Sequence, residues 1–149
     1  MIYIKSGIVM GLLLRAIYTD MKRGQIENRL IVTGLVLGFV CAIVTGGVSG
    51  LLDSVKMVCT ITVALFFLFV IKGLGAGDIK LLAVLAAFFP KEIFSIVIVS
   101  FFVGAGIALA RMAVRAVKHI PIYRRHETLN FSIPIAVGTG IIGLLEFMR

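Results

Sequence analysis

Six apolar runs, separated by short charged or glycine-containing segments, constrain this chain more than any other feature of its sequence. With 60% hydrophobic residues, 15% charged residues and a mean hydropathy of +1.15, it lies outside the range of soluble proteins, which carry about 25% charged residues. A bilayer crossing takes about 20 apolar residues, so six crossings leave no room for a separate soluble domain. The sequence therefore predicts an all-α membrane protein in which residues 1–149 form one domain. The six runs are Ile2–Thr19, Leu30–Thr45, Val55–Ile71, Leu81–Phe89, Ile93–Ala110 and Phe131–Leu145.

The fourth run decides the topology, because its nine residues make a helix of only about 13 Å in a hydrocarbon core of about 30 Å. Cytoplasmic loops carry the excess of Lys and Arg. If Leu81–Phe89 crosses, 11 of the 15 Lys and Arg residues share one side and 4 lie opposite; if it does not, the division is 8 to 7. The bias favours six transmembrane helices, with a short fourth helix preceded by the glycine-rich turn Gly73–Asp78. Both termini then face away from the cytoplasm.

The charge distribution and the positions of the cysteines and histidines argue against nucleic-acid binding and against a metal site. The net charge of +8 is assigned to membrane orientation and to contact with lipid headgroups, so nucleic acid is not an expected partner. Cys41 and Cys59 lie 18 residues apart in apolar runs, and His119 and His126 lie in a polar loop without a ligand pattern. Neither a metal nor another cofactor is expected.

Two of the seven acidic residues occupy positions that point to chemistry. Asp20 ends the first apolar run and Asp78 precedes the fourth, so six crossings place both at the cytoplasmic face although 58 residues separate them. Two neighbouring carboxyl groups cannot both ionise cheaply, and such a pair supplies an acid and a base for attack by water. The alternative is that both residues are ordinary helix-boundary residues. If they pair, the helix dipoles favour an ionised Asp78 and a protonated Asp20.

The sequence around these aspartates resembles the type IV prepilin peptidases, a family of membrane aspartic proteases. Gly75-Ala76-Gly77-Asp78 matches the family's G-x-G-D motif, and the segment Asp20–Asn28 is similar to its aspartate followed by a basic turn and Ile-Pro-Asn. Glu27 stands where the family usually has proline. A further segment, Ile133–Gly138, resembles the proline-containing start of the family's last helix, without the usual Gly-Pro.

The resemblance implies a function and a set of site residues. It implies that Asp20 and Asp78 are catalytic and that the chain removes the short basic leader of a type IV prepilin-like preprotein, cutting after a leader glycine at the cytoplasmic face of a prokaryotic inner membrane. Gly75 and Gly77 are expected to shape the turn at Asp78. Lys80 either tunes the ionisation of Asp78 or anchors at the membrane interface. The paired C-x-x-C cysteines of larger, methylating relatives are missing here, so no N-methyltransferase activity is expected, and a homo-oligomer is left open.

Other functions remain as alternatives. A proton-coupled small transporter would use ionisable groups within spans, but the candidate acids cluster on one face. An inactive pilus or secretion assembly factor is compatible with the same sequence. Gly47-Val48-Ser49-Gly50 fits the G-x-S-G of rhomboid-type serine proteases, yet the topology puts Ser49 on the side opposite both histidines. Presenilin-like proteases also use G-x-G-D, but this chain is shorter than their usual layout.

Overall fold

The computed structural model describes residues 2–71, 73–117 and 131–148, and every regular element in these ranges is a helix. This confirms the all-helical prediction. His119 and His126 lie outside the described residues. The described helices are α1 (Ile2–Arg23), α2 (Asn28–Val70), α3 (Ala76–Phe88), α4 (Ile93–Val117) and α5 (Ser132–Met148).

The helix count differs from the sequence prediction, because five helices are described instead of six. The second and third apolar runs both fall within the 43 residues of α2, whose only non-helical backbone lies at Gly47, with φ 61° and ψ −148°. By length and composition, Asn28–Val70 and Ile93–Val114 are the described helices that can cross a membrane, whereas Ser132–Leu145 is a shorter apolar helix. The prediction of six transmembrane helices is therefore not supported by the helices as they stand.

Gly47 nevertheless turns α2 back on itself. Lys80 Nζ donates to Asn28 Oδ1 at 3.0 Å, and Ser54 Oγ donates to the carbonyl oxygen of Ala87 at 3.1 Å. A straight helix would separate residues 28 and 54 by about 39 Å, whereas residues 80 and 87 of α3 lie only about 10 Å apart along the axis. Two limbs of α2, residues 28–46 and 48–70, therefore pack against the same short helix.

Helix α3 forms the centre of the fold. Nine of its 13 residues are buried, including the unbroken stretch Leu81–Phe88. Gly34 and Gly38 of the first limb of α2 lie so close to α3 that an added Cβ would come within 2.7 Å of Val84 and Ala87, respectively. The absence of side chains on these glycines thus allows close helix packing, as in membrane proteins generally.

The glycine-rich turn before α3 is shorter than predicted. Gly73, Leu74 and Gly75 are non-helical, but the helix already begins at Ala76, so Asp78 belongs to its first turn. The outer faces of the surrounding helices remain apolar: Val63 is 73% exposed, Phe67 69% and Phe102 76%. A surface of this kind suits contact with lipid, since in water a large exposed apolar patch would drive association.

Candidate active site

Asp20 lies in the last turn of α1, where a glycine ends the helix. Gly24 has φ 62°, a left-handed conformation that glycine adopts without penalty, and its N–H donates to the carbonyl oxygen of Asp20 at 2.8 Å. This is the usual geometry of a glycine-terminated helix. The side chain of Asp20 is half-buried, so it is held by the fold and is still within reach of water.

Asp78 lies in the first turn of α3, and its carboxylate folds back onto the residue that precedes the helix. An added Cβ on Gly75 would lie 2.9 Å from Asp78 Oδ2, and the backbone N–H of Gly75 donates to this carboxylate. A side chain at position 75 would displace the carboxylate. The absence of a side chain at Gly75 thus leaves room for the Asp78 carboxylate.

Two contacts join the α1–α2 turn to the beginning of α3. The Cβ position of Gly77 lies 3.4–3.5 Å from atoms of the buried Ile26 side chain, and Lys80 donates to Asn28. The segment that follows Asp20 therefore rests directly on the helix that carries Asp78. The link from Lys80 to Asn28 is a role that the sequence did not predict for this lysine.

The two aspartates share an electrostatic environment. Burial and the negative charge of Asp20 together raise the pKa of Asp78 from 3.8 to about 7, against the lowering effect of the hydrogen bond from Gly75. Asp78 precedes the apolar run Leu81–Phe89 and lies outside both helices that can cross a membrane. The structure thus brings together the two acids that the sequence singled out.

The helix dipoles predict an ionised Asp78, but other effects act on the pKa of Asp78 in the opposite direction. A helix N-terminus favours a carboxylate, but burial disfavours the charged form and the nearby Asp20 charge disfavours a second one. Burial and the Asp20 charge outweigh the Gly75 hydrogen bond, so the pKa of Asp78 lies well above its usual range, at about 7.

A residue that the sequence did not single out also reaches this site. The hydroxyl of Ser132, at the start of α5, donates to Asp20 Oδ2 at 2.6 Å across 112 residues of sequence. Ser132 is completely buried. The segment Ile133–Gly138 drew attention to the same helix, but only the position of Ser132 at the start of the last predicted span could have indicated the contact.

Glu27, the departure from the expected proline, pairs with two arginines. Its Oε1 lies 2.9 Å from Arg23 Nη1, and its Oε2 lies 3.8 Å from Arg15 Nη2. Arg23 and Glu27 are on opposite sides of Gly24, so the closer pair bridges the turn after Asp20. Both arginine side chains are about two-thirds exposed, and such pairs contribute little to stability.

Comparison with known proteins decides the family. A model of the type IV leader peptidase family matches residues 7–109, which is more than half of the chain. The chain belongs to this family. No curated protein and no solved structure matches it. The family match confirms the resemblance and supports a leader peptidase-like protease; it includes Asp20 and Asp78 and ends before Ser132.

The structure does not support the serine protease alternative at Ser49. Ser49 is exposed, and its hydroxyl donates to the carbonyl oxygen of Gly46 at 2.8 Å, a local bond within α2. No group of three or more His, Cys, Asp or Glu residues in the described part of the chain could hold a metal ion. The aspartate pair is therefore the cluster around which a peptidase mechanism can be built.

Proposed function

We propose that this leader peptidase family member is a membrane aspartic endopeptidase that removes the short basic leader from type IV prepilin-like preproteins. The observation that supports this most strongly is the pairing of Asp20 with a partly buried Asp78 whose pKa is raised to about 7. An acid near its pKa at neutral pH is poised for proton transfer. The proposal places the site at the cytoplasmic face of a prokaryotic inner membrane and the cut after a leader glycine.

In this mechanism the ionised Asp20 is the base and the protonated Asp78 is the acid. Asp20 accepts a proton from water while the water oxygen bonds to the scissile carbonyl carbon, and Asp78 gives its proton to the carbonyl oxygen, which produces a gem-diol. When the carbon–nitrogen bond breaks, Asp20 passes its proton to the leaving nitrogen, and Asp78 recovers a proton from the gem-diol hydroxyl that becomes the new carbonyl. Each aspartate contributes one half of the acid–base exchange, which is the logic of an aspartic protease dyad.

Product analysis tests this function. We expect purified protein in liposomes to cut a preprotein once, after the glycine that precedes its apolar helix. We also expect an unmethylated new N-terminus when S-adenosylmethionine is present, and unchanged activity with a chelator, because the chain contains no C-x-x-C pair and the mechanism uses no metal. Mass spectrometry of both products measures all three results. A methylated product or inhibition by the chelator would contradict the corresponding part, and an intact preprotein would reopen the transporter and assembly-factor alternatives.

We further propose that the chain crosses the membrane six times, with the two limbs of α2 as separate crossings. Limbs of 19 and 23 residues measure about 28 and 34 Å, close to the hydrocarbon thickness of about 30 Å, and the contacts of α2 with α3 support a reversal at Gly47. The apolar run Leu81–Phe89, which follows Asp78, and the helices α1, α4 and α5 supply the other four crossings.

Cysteine accessibility tests this topology. In a variant in which Cys41 and Cys59 are replaced by alanine, a membrane-impermeant thiol reagent applied to intact cells should label Ser49→Cys but not Lys22→Cys. Both positions are exposed, so differential labelling reports the side of the membrane. Opening the cells should make Lys22→Cys reactive. Labelling of Lys22→Cys in intact cells would contradict six crossings with a cytoplasmic site.

A further inference from the structure

The hydrogen bond from Ser132 to Asp20 joins the last helix of the chain to the proposed acid–base pair. Its length, 2.6 Å between Oγ and Oδ2, is that of a strong bond between a hydroxyl and a carboxylate. No other described side chain hydrogen-bonds to the Asp20 carboxylate. Ser132 has no solvent exposure, so its hydroxyl is shielded from bulk water.

The position of Ser132 is itself fixed by α4. The ring of Phe131, the preceding residue, lies 5.2 Å from the ring of Phe101, and an added Cβ on Gly104 would come within 2.6 Å of Phe131. Six residues after Ser132, the Cβ position of Gly138 lies 3.0 Å from the backbone nitrogen of Ser100 and 3.2 Å from the carbonyl oxygen of Ile96. The start of α5 is therefore held against the backbone of α4, and the Ser132 hydroxyl is presented to Asp20 by a closely packed pair of helices.

A carboxylate held by a single hydroxyl at one oxygen has restricted rotation. Because Ser132 binds Oδ2, the orientation of the other carboxylate oxygen of Asp20, Oδ1, is also restricted. This matters for catalysis because a base must lie within hydrogen-bond reach of the proton that it removes. Small errors in such positioning lower the rate of the chemical step more than they affect substrate binding.

We propose that Ser132 is a positioning residue that holds the Asp20 carboxylate so that Oδ1 faces the attacking water. This inference rests on the proposed peptidase function. It assigns part of the site to a residue outside the segment that matches the family model. A purely structural role for Ser132, as a buried hydroxyl that satisfies its own hydrogen-bonding needs, predicts a change in stability without a selective change in kcat.

Three variants separate these roles. Ser132→Ala removes the donor, Ser132→Cys replaces it with a thiol that donates only weakly, and Ser100→Ala is the matched control. Ser100 is also completely buried, and its hydroxyl donates at 2.6 Å to the carbonyl oxygen of Ile96 on its own helix, away from either aspartate. The control therefore makes the same chemical change in the same helix pair.

We expect Ser132→Ala to lower kcat about 10- to 100-fold, which is the range for loss of one hydrogen bond to a charged group. The KM should stay within about 2-fold of the wild-type value. The thermal midpoint should be similar to that of Ser100→Ala. Ser132→Cys should fall between wild type and Ser132→Ala. Steady-state cleavage in liposomes and thermal denaturation in detergent give these values. The inference is overturned if kcat is the same in Ser132→Ala and Ser100→Ala, or if Ser132→Ala does not fold and Ser132→Cys has the wild-type kcat.

Asp20→Asn, measured in the same series, separates this inference from the proposed function. If the wild type does not cleave the preprotein, or if Asp20→Asn cleaves it normally, the peptidase mechanism itself fails. If Asp20→Asn is inactive while Ser132→Ala matches Ser100→Ala in kcat, the mechanism stands and the positioning role of Ser132 is rejected.

Discussion

Replacing either aspartate of the pair with asparagine is expected to lower preprotein cleavage by about 10²- to 10⁴-fold, the contribution of a general acid or base. Asparagine has nearly the size of aspartate but can neither give up nor accept the proton that the mechanism transfers. Asp78 is partly buried beside Asp20 and is held there at a raised pKa, so Asp78→Asn should not reduce thermal stability. Cleavage of a preprotein in liposomes measures the first effect, and thermal denaturation in detergent measures the second.

Asp53→Asn is the matched control for these two variants. Asp53 lies in α2, its side chain is exposed, and the six-crossing topology places it at the opposite face of the membrane. The same chemical change should therefore leave cleavage within about 2-fold of wild type, as is usual for surface positions. Near-normal cleavage by Asp20→Asn or Asp78→Asn would reject the dyad, and equal losses in all three variants would indicate a general effect on folding.

The second large effect is expected at the contact between α2 and α3. An added Cβ on Gly38 would lie 2.7 Å from Ala87 Cβ and 3.2–3.3 Å from the ring of Phe88, and both neighbours are buried. Ala87 has no flexible side chain that could move aside, so Gly38→Leu must push the helices apart. Such overpacking costs about 1–3 kcal/mol, and occasionally more. The thermal midpoint should fall, and cleavage should fall with it because α3 carries Asp78.

Gly106→Leu tests whether this loss reflects packing. Gly106 lies within α4, is exposed, and has no atom within 4 Å of its Cβ position. Leucine also has a higher helix propensity than glycine, so this control should keep or raise the thermal midpoint. Equal midpoints for Gly38→Leu and Gly106→Leu would show that the close approach of α2 and α3 does not contribute to stability.

The features predicted correctly from the sequence were those set by local pattern. Apolar runs bounded by charges indicated helices, and Gly73 and Gly75 indicated a turn, although Gly77 lies within α3 and not in that turn. The convergence of Asp20 and Asp78 followed from counting crossings and Lys and Arg residues, since an even number of passages returns the chain to the same face. These inferences need only the order of residues along the chain.

The features that the sequence did not reveal depend on tertiary structure. The backbone conformation of Gly47, which makes α2 one long, turned helix, cannot be inferred from its Gly-Gly neighbourhood alone. The dipole argument for an ionised Asp78 omitted burial and the Asp20 charge, which raise the pKa of Asp78 and arise only after α1 and α3 pack together. The Ser132 contact spans 112 residues and leaves no local signal.

The pH dependence of kcat/KM tests the central claim, that Asp20 and Asp78 work as one acid–base pair, most directly. The profile of kcat/KM reports the ionisation of essential groups in the free enzyme. Since the folded-state pKa of Asp78 is raised to about 7, its catalytic proton is present at lower pH and is lost as pH rises through that value. We predict that kcat/KM falls about tenfold per pH unit above about pH 7, while Asp53→Asn follows the wild-type curve. A kcat/KM that stays constant to about pH 9 would contradict the claim, because a peptidase that needs a protonated Asp78 cannot retain full activity after that proton is lost.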